Sequence, residues 1–166
     1  MQARSVIDVS LCSDEVRMVR LFARERVKKN EAIPGPICGR ERIDTALIGM
    51  LAEEAFSKAL NLHLDLSLRP TLHDFVLMGY FIDLKATDRP NGRLMTPATK
   101  LAMQADRYVL ATVNTVVDPC AVRLVGFATA AELFDPANLV DVGHGATYAL
   151  PQSRLHPLDR ILERTP

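Results

Sequence analysis

The sequence predicts an α/β protein in which a mixed sheet is flanked by helices. Three observations predict it. Apolar residues recur at helical spacing over 14–29 and again over about 44–60. Strand-like apolar runs then fill the middle of the chain, between 62 and 129. Further helical segments interrupt and follow those runs, the pattern of a layered α/β architecture.

The elements follow in order. Ser13 offers a capping hydroxyl, and Asp14 and Glu15 put acids at the positive end of a helix dipole. Val16, Val19, Ala23 and Val27 then form one apolar stripe, predicting a helix over 14–29. Pro34-Gly35-Pro36 breaks the chain, and Cys38-Gly39-Arg40 continues as loop. A second helix starts near Asp44 or Thr45, carries Leu47, Leu51, Ala55 and Ala59 every fourth residue, and ends near Asn61. Leu62, Leu64, Leu66 and Leu68 alternate with polar residues, predicting a strand that Pro70 stops. The runs 75–78 and 81–85 meet at Gly79-Tyr80 and predict a hairpin.

Residues 88–92 read as loop, and Pro97 suits the first turn of a helix over 97–105. The segments 107–117 and 121–129 predict two strands joined at Asp118-Pro119. A short helix near 130–134, a loop at Gly143-His144-Gly145 and a last helix over 157–164 complete the chain. Nothing in it separates two domains, so residues 1–166 are expected to form one.

Composition excludes several classes of function. Of 166 residues, 48% are hydrophobic and 24% charged, ordinary globular usage, and 20 basic side chains balance 20 acidic ones. No stretch approaches the roughly 18 apolar residues of a membrane span. No secretory signal opens the chain, and the three cysteines form no CxxC pair, so a soluble, reduced, cytoplasmic protein is expected. No GxGxxG or GxxxxGK[ST] loop is present, which removes the usual nucleotide-binding fingerprints. GxSxG and HExxH are absent too. Aromatic residues amount to 5%, with no Trp, too few for a base-stacking platform.

Chemistry concentrates at Asp83-Leu84-Lys85. An acid-x-Lys triplet alone is expected about once by chance in a chain of this length. Its context adds weight. The triplet ends an apolar strand, so Asp83 and Lys85 point to one face, about 6.6 Å apart. Asp74 opens the preceding strand of the same hairpin, where antiparallel pairing brings it toward Asp83. Two converging carboxylates raise each other's pKa unless a cation sits between them, and Mg²⁺ suits such a pair. A third acid comes from the second helix, Glu53 or Glu54 in Gly49-Met50-Leu51-Ala52-Glu53-Glu54, with Glu54 nearer the apolar stripe.

In this order and spacing, Gly49 to Glu53, then Asp74, then Asp83-Leu84-Lys85, the sequence resembles the PD-(D/E)xK nuclease superfamily, the restriction-endonuclease-like phosphodiesterases. The resemblance covers about residues 44–117. The IDLKA segment and the later VGFAT and YALPQSRLHPL stretches are similar to small phage and prophage members. His73 stands where the family usually has proline, and the second acid is Asp rather than the commoner Glu. The resemblance implies an αβββαβ core with an extra N-terminal helix and a C-terminal strand and helix. It implies metal-dependent hydrolysis of DNA phosphodiesters. Asp74, Asp83, Glu53 and the Leu84 carbonyl would then hold Mg²⁺ or Mn²⁺, and Lys85 would activate water and stabilise charge at phosphorus. The family also places a basic or amide residue on the next helix, which singles out Lys100 and Gln104 for the scissile phosphate. A homodimer would supply one site per strand of a duplex.

DNA contact also has a candidate in the first helix. Arg17, Arg20, Arg24 and Lys28 form a basic stripe that either tracks phosphates or is a solvated helix face. Two other readings stand beside the nuclease. One is a DNA-binding or assembly module that keeps the fold without cutting. The other is a structural interaction protein whose acids form surface ion pairs.

Overall fold

The computed structural model describes residues 6–29, 42–64, 66, 73–100, 105–143 and 145–163. Three layers build the fold: two helices, a five-stranded mixed sheet and a three-stranded antiparallel sheet.

The helical layer follows the expected periodicity. Helix α1 spans Ser13–Lys29 and buries Val19 and Ala23. Helix α2 spans Arg42–Leu60 and is buried along Leu47, Met50, Leu51, Ala55 and Phe56. Such breadth fits its position between α1 and the large sheet, because a helix covered on two sides has little surface left for water.

The large sheet has the order β1-β6-β5-β3-β2. Its strands are β1 (Ile7–Leu11), β2 (Phe75–Leu77), β3 (Tyr80–Thr87), β5 (Arg107–Asn114) and β6 (Cys120–Thr129), β4 belonging to the smaller sheet. β2 and β3 form the expected antiparallel hairpin, β3 and β5 run parallel, and β6 is antiparallel to both β5 and β1. β5 is apolar on both faces because both are covered: Val109, Ala111 and Val113 face the helices, while Tyr108 and Leu110 face the second sheet.

The second sheet has the order β4-β8-β7, from Leu94–Pro97, Ala146–Leu150 and Leu139–Asp141. Leu94 and Leu150 join Tyr108, Leu110, Val125 and Ala128 in the core between the sheets. A bulge in β6 makes this possible. The register against β5 slips between Leu110 and Ala111, so Val125 turns toward the small sheet while Leu124 and Phe127 stay on the helical side. Gly126 has φ +155°, and a Cβ there would overlap the His156 carbonyl oxygen. That close approach lets Phe127 and His156 exchange backbone hydrogen bonds and ties the C-terminal segment onto β6.

Several expectations need correction. β1, β4, β7 and β8 are strands that the periodicity does not predict. Residues 94–97 form a strand, so Pro97 ends a strand rather than opening a helix; a single turn, Ala98–Lys100, follows, and residues 101–104 of the expected helix lie outside the described set. Leu94 and Thr96 are buried and alternate with more exposed neighbours, a period of two rather than 3.6. The alternating leucines at 62 and 64 have no sheet partner among the described residues; they lean on the helical core instead, and Asp65 and residues 67–72 lie outside the described set. The last helix is only a 3-10 turn over Leu158–Arg160, anchored by Leu158 and Ile161. No described helix is long and apolar enough to cross a membrane.

Candidate active site at the edge of β3

β2 begins at Phe75, and among the described residues its ladder pairs β3 no further than Ile82. The last pair of the β2–β3 register is Phe75–Ile82, so Asp74 stands at the end of that ladder. The Asp74 backbone N–H donates to the Ile82 carbonyl at 2.9 Å. Its side chain takes the next ladder position, with Oδ2 accepting the Leu84 N–H at 2.6 Å. Backbone N–H groups lie near the plane of the sheet, so this carboxyl sits at the sheet edge, between the two faces.

The other groups approach Asp74 from either side. Ile82 and Leu84 are buried toward α2, so Asp83 and Lys85 project from the opposite face, beside Tyr108 and Leu110 of β5. There Lys85 is ion-paired with Asp83, and its Nζ lies 6.0 Å from the centre of the Tyr108 ring. Glu53 comes from the helical face, where it is 9% exposed. Arg26 of α1 grips it with two hydrogen bonds of 3.0 and 3.3 Å.

Electrostatics tie these groups together. Burial, then the Glu53 carboxylate, then the Asp83 carboxylate push the Asp74 carboxyl up to about 7, against the opposing effects of the Leu84 N–H and the Lys85 ammonium. Glu54 belongs to different surroundings. Burial and the Glu15 carboxylate raise its carboxyl, and Lys58 opposes them. Of the two candidate helix acids, Glu53 is therefore the one that acts on Asp74.

The remaining expected residues are dispersed. Arg17 pairs with Asp14 and Lys28 with Glu25, both exposed pairs one helical turn apart. Arg20 and Arg24 are exposed on the same side of α1. Lys100 ends the short turn after β4 and is exposed; Gln104, expected to share its helical face, lies outside the described residues, as does His144. His156 contacts Glu132, 2.6 Å away, in a cluster that fastens the C-terminal segment.

Sequence reasoning missed Arg26 as a partner of the site. The signal was present: Val16, Val19 and Ala23 point to the core, and position 26 continues that stripe, so a cation there needs a buried partner. It also missed the loop 88–93, which brings Arg89 and Arg93 to the same side as Lys85.

Among the described residues, no group of three or more His, Cys, Asp and Glu side chains is gathered to hold a metal ion. The donors around Asp74 nevertheless fit a hard cation. Once Asp74 ionises, three carboxylates stand there against two cationic side chains, Arg26 and Lys85. Mg²⁺ needs only one or two carboxylates beside water and substrate oxygens.

No family model matches the chain, and no curated protein or solved structure matches it either.

Proposed function

We propose that this protein is a metal-dependent nuclease hydrolysing DNA phosphodiester bonds with Mg²⁺ or Mn²⁺. One relationship supports the reading most: Asp74 holds the N–H of Leu84, the residue between Asp83 and Lys85, and both Asp83 and Glu53 act on its carboxyl. A bound divalent cation would supply Lewis-acid stabilisation of charge on the phosphoryl group and would acidify water. Asp74 and Asp83 are the carboxylates to hold it, with the Leu84 carbonyl and Glu53 nearby.

The chain's own residues account for the rest. Lys85, steadied by Asp83, places a fixed positive charge where negative charge develops on the phosphoryl oxygens, and it orients the attacking water. Arg26 fixes the Glu53 carboxylate. Asp74, raised to about 7 without a cation, would give up its proton as the cation binds.

The ion pairs already engaging Glu53 and Asp83 favour a second reading, a module that binds DNA without cutting it. Cleavage assays on duplex, single-stranded and branched DNA separate the two. The nuclease reading expects cutting in Mg²⁺ or Mn²⁺ that stops with a chelator. It expects Lys85→Ala to slow cutting by about 10²–10³-fold, the scale of removing one preorganised electrostatic interaction, with little change in affinity. If wild type and Lys85→Ala bind DNA alike and neither cuts any substrate, the binding module stands.

A further inference from the structure

Beside the acidic site lies an open cleft of about 560 Å³ between the two sheets. Its charged lining consists of Lys85, Arg89 and Arg93, with no acid among the lining residues, in a protein whose overall charge is zero. Met95 and Val140 contribute to an apolar wall. Neither the Arg89 nor the Arg93 guanidinium has an ion-pair partner among the described residues, and both residues are exposed. Every basic residue of the stripe on α1 lies on another layer of the molecule.

The loop carrying the two arginines is held in shape. The Arg89 N–H donates to Thr87 Oγ1 at 3.2 Å, and the Gly92 N–H donates to the Arg89 carbonyl at 2.9 Å. Gly92 is packed so tightly on Thr87 that a Cβ would overlap that side chain. From the turn after β8, the Gln152 amide donates to the Pro90 carbonyl at 2.8 Å and the Gly92 carbonyl at 3.0 Å. Unpaired guanidinium groups on a braced loop suit phosphate oxygens, which they can grip in a planar fork.

The lining decides the kind of nucleic acid. Beside the arginines the wall is apolar, from Met95 and Val140. A duplex turns its charged backbone outward and keeps its bases paired, whereas a single strand has phosphates for the arginines and unpaired bases for the apolar wall. We infer that this cleft is a subsite for single-stranded nucleic acid, in which Arg89 and Arg93 bind the phosphates flanking the one at Lys85. The assignment rests on the nuclease reading for its link to Lys85, while strand binding can be measured without cleavage.

The test is fluorescence anisotropy with a labelled twelve-nucleotide oligothymidylate in EDTA across a range of salt, against a blunt hairpin duplex. Wild type is expected to bind the strand more tightly than the hairpin. Arg89→Ala with Arg93→Ala is expected to weaken strand binding about tenfold per arginine. It should also lower the salt slope by about 0.7 for each phosphate no longer neutralised. Replacing both by lysine should keep most of the slope, because the charges remain. Gln152→Ala, which frees the loop without removing a charge, should weaken binding as well. No strand binding by wild type, a preference for the hairpin, or unchanged affinity and slope in the double alanine variant overturns the subsite. Cleavage in Mg²⁺, run in parallel, keeps the two readings apart. Cutting with unaltered binding in the double variant sinks only the subsite, and arginine-dependent strand binding without cutting sinks only the nuclease.

Discussion

The Asp74 carboxyl occupies a position in the β-ladder: its Oδ2 accepts the Leu84 N–H that a longer β2 would have paired with a backbone carbonyl. A titrating side chain thus completes the sheet edge, and it meets Glu53 from one face and Asp83 from the other. Structure and chemistry are coupled at this one residue.

That coupling sets a pH dependence. The Asp74 pKa is raised from 3.8 to about 7 in the folded chain, so between these values the folded state binds more protons than the unfolded state. Stability of the metal-free protein should therefore fall as pH rises through this window and level off above it. Thermal melts in EDTA from pH 4 to 8 check this, and Asp74→Asn should flatten the decline.

Metal addition should act in the opposite sense. A cation held by Asp74 and Asp83 binds only the folded state and stabilises it by mass action, increasingly so as Asp74 ionises. Melts with Mn²⁺ should rise most near neutral pH. Asp83→Asn should abolish that rise, and a variant that still gains stability from Mn²⁺ would place the cation elsewhere.

Arg26→Ala leaves the Glu53 carboxylate without its forked partner in a mostly buried setting. Destabilisation of about 1–3 kcal/mol is expected, the cost of an unsatisfied buried polar group. Replacing both residues with apolar ones of similar size should recover much of it. Urea titrations of the two single variants and the double variant measure the coupling.

Gly126→Ala tests the bulge. Both the φ of +155° and the overlap with the His156 carbonyl oppose a side chain there. A loss of at least about 1–3 kcal/mol is expected from the backbone setting alone. The C-terminal segment should also become more open to proteolysis, which limited digestion would report.

The basic face of α1 has its own measurement. Arg17 and Lys28 are engaged by acids, so Arg20 and Arg24 are the residues left to meet phosphates. If α1 lies along duplex DNA, neutralising both should lower the salt slope by ~0.9 per phosphate released, equally for all sequences. An unchanged slope marks the face as merely solvated.

What the sequence determined by itself was local. The stripe Val16–Val19–Ala23, the repeat Leu47–Leu51–Ala55 and the apolar runs around Phe75 and Ile82 are periodic within a few residues, and the corresponding α1, α2, β2 and β3 formed where expected. The register of a tight hairpin is local too, which is why the pairing of residues 75–77 with 80–82 could be read from spacing across Gly79. β1 could not be read in this way. Its pairing joins Ile7 to Leu124, and its short alternation means little until β6 is beside it. Pro97 carried a plausible helix signal, but the antiparallel partners Thr96–Tyr148 and Pro97–Thr147 draw that segment into a strand. Tertiary packing also decided which helix glutamate acts on Asp74, because only the placement of α1 brings Arg26 to Glu53 and leaves Glu54 with Glu15 and Lys58. It alone brought Arg89 and Arg93 beside Lys85, since that cleft exists only once a second sheet, built from residues 94 to 150, packs on the first. Local periodicity is written in neighbouring residues; burial, register between distant strands and the gaps between layers arise only when distant parts of the chain meet.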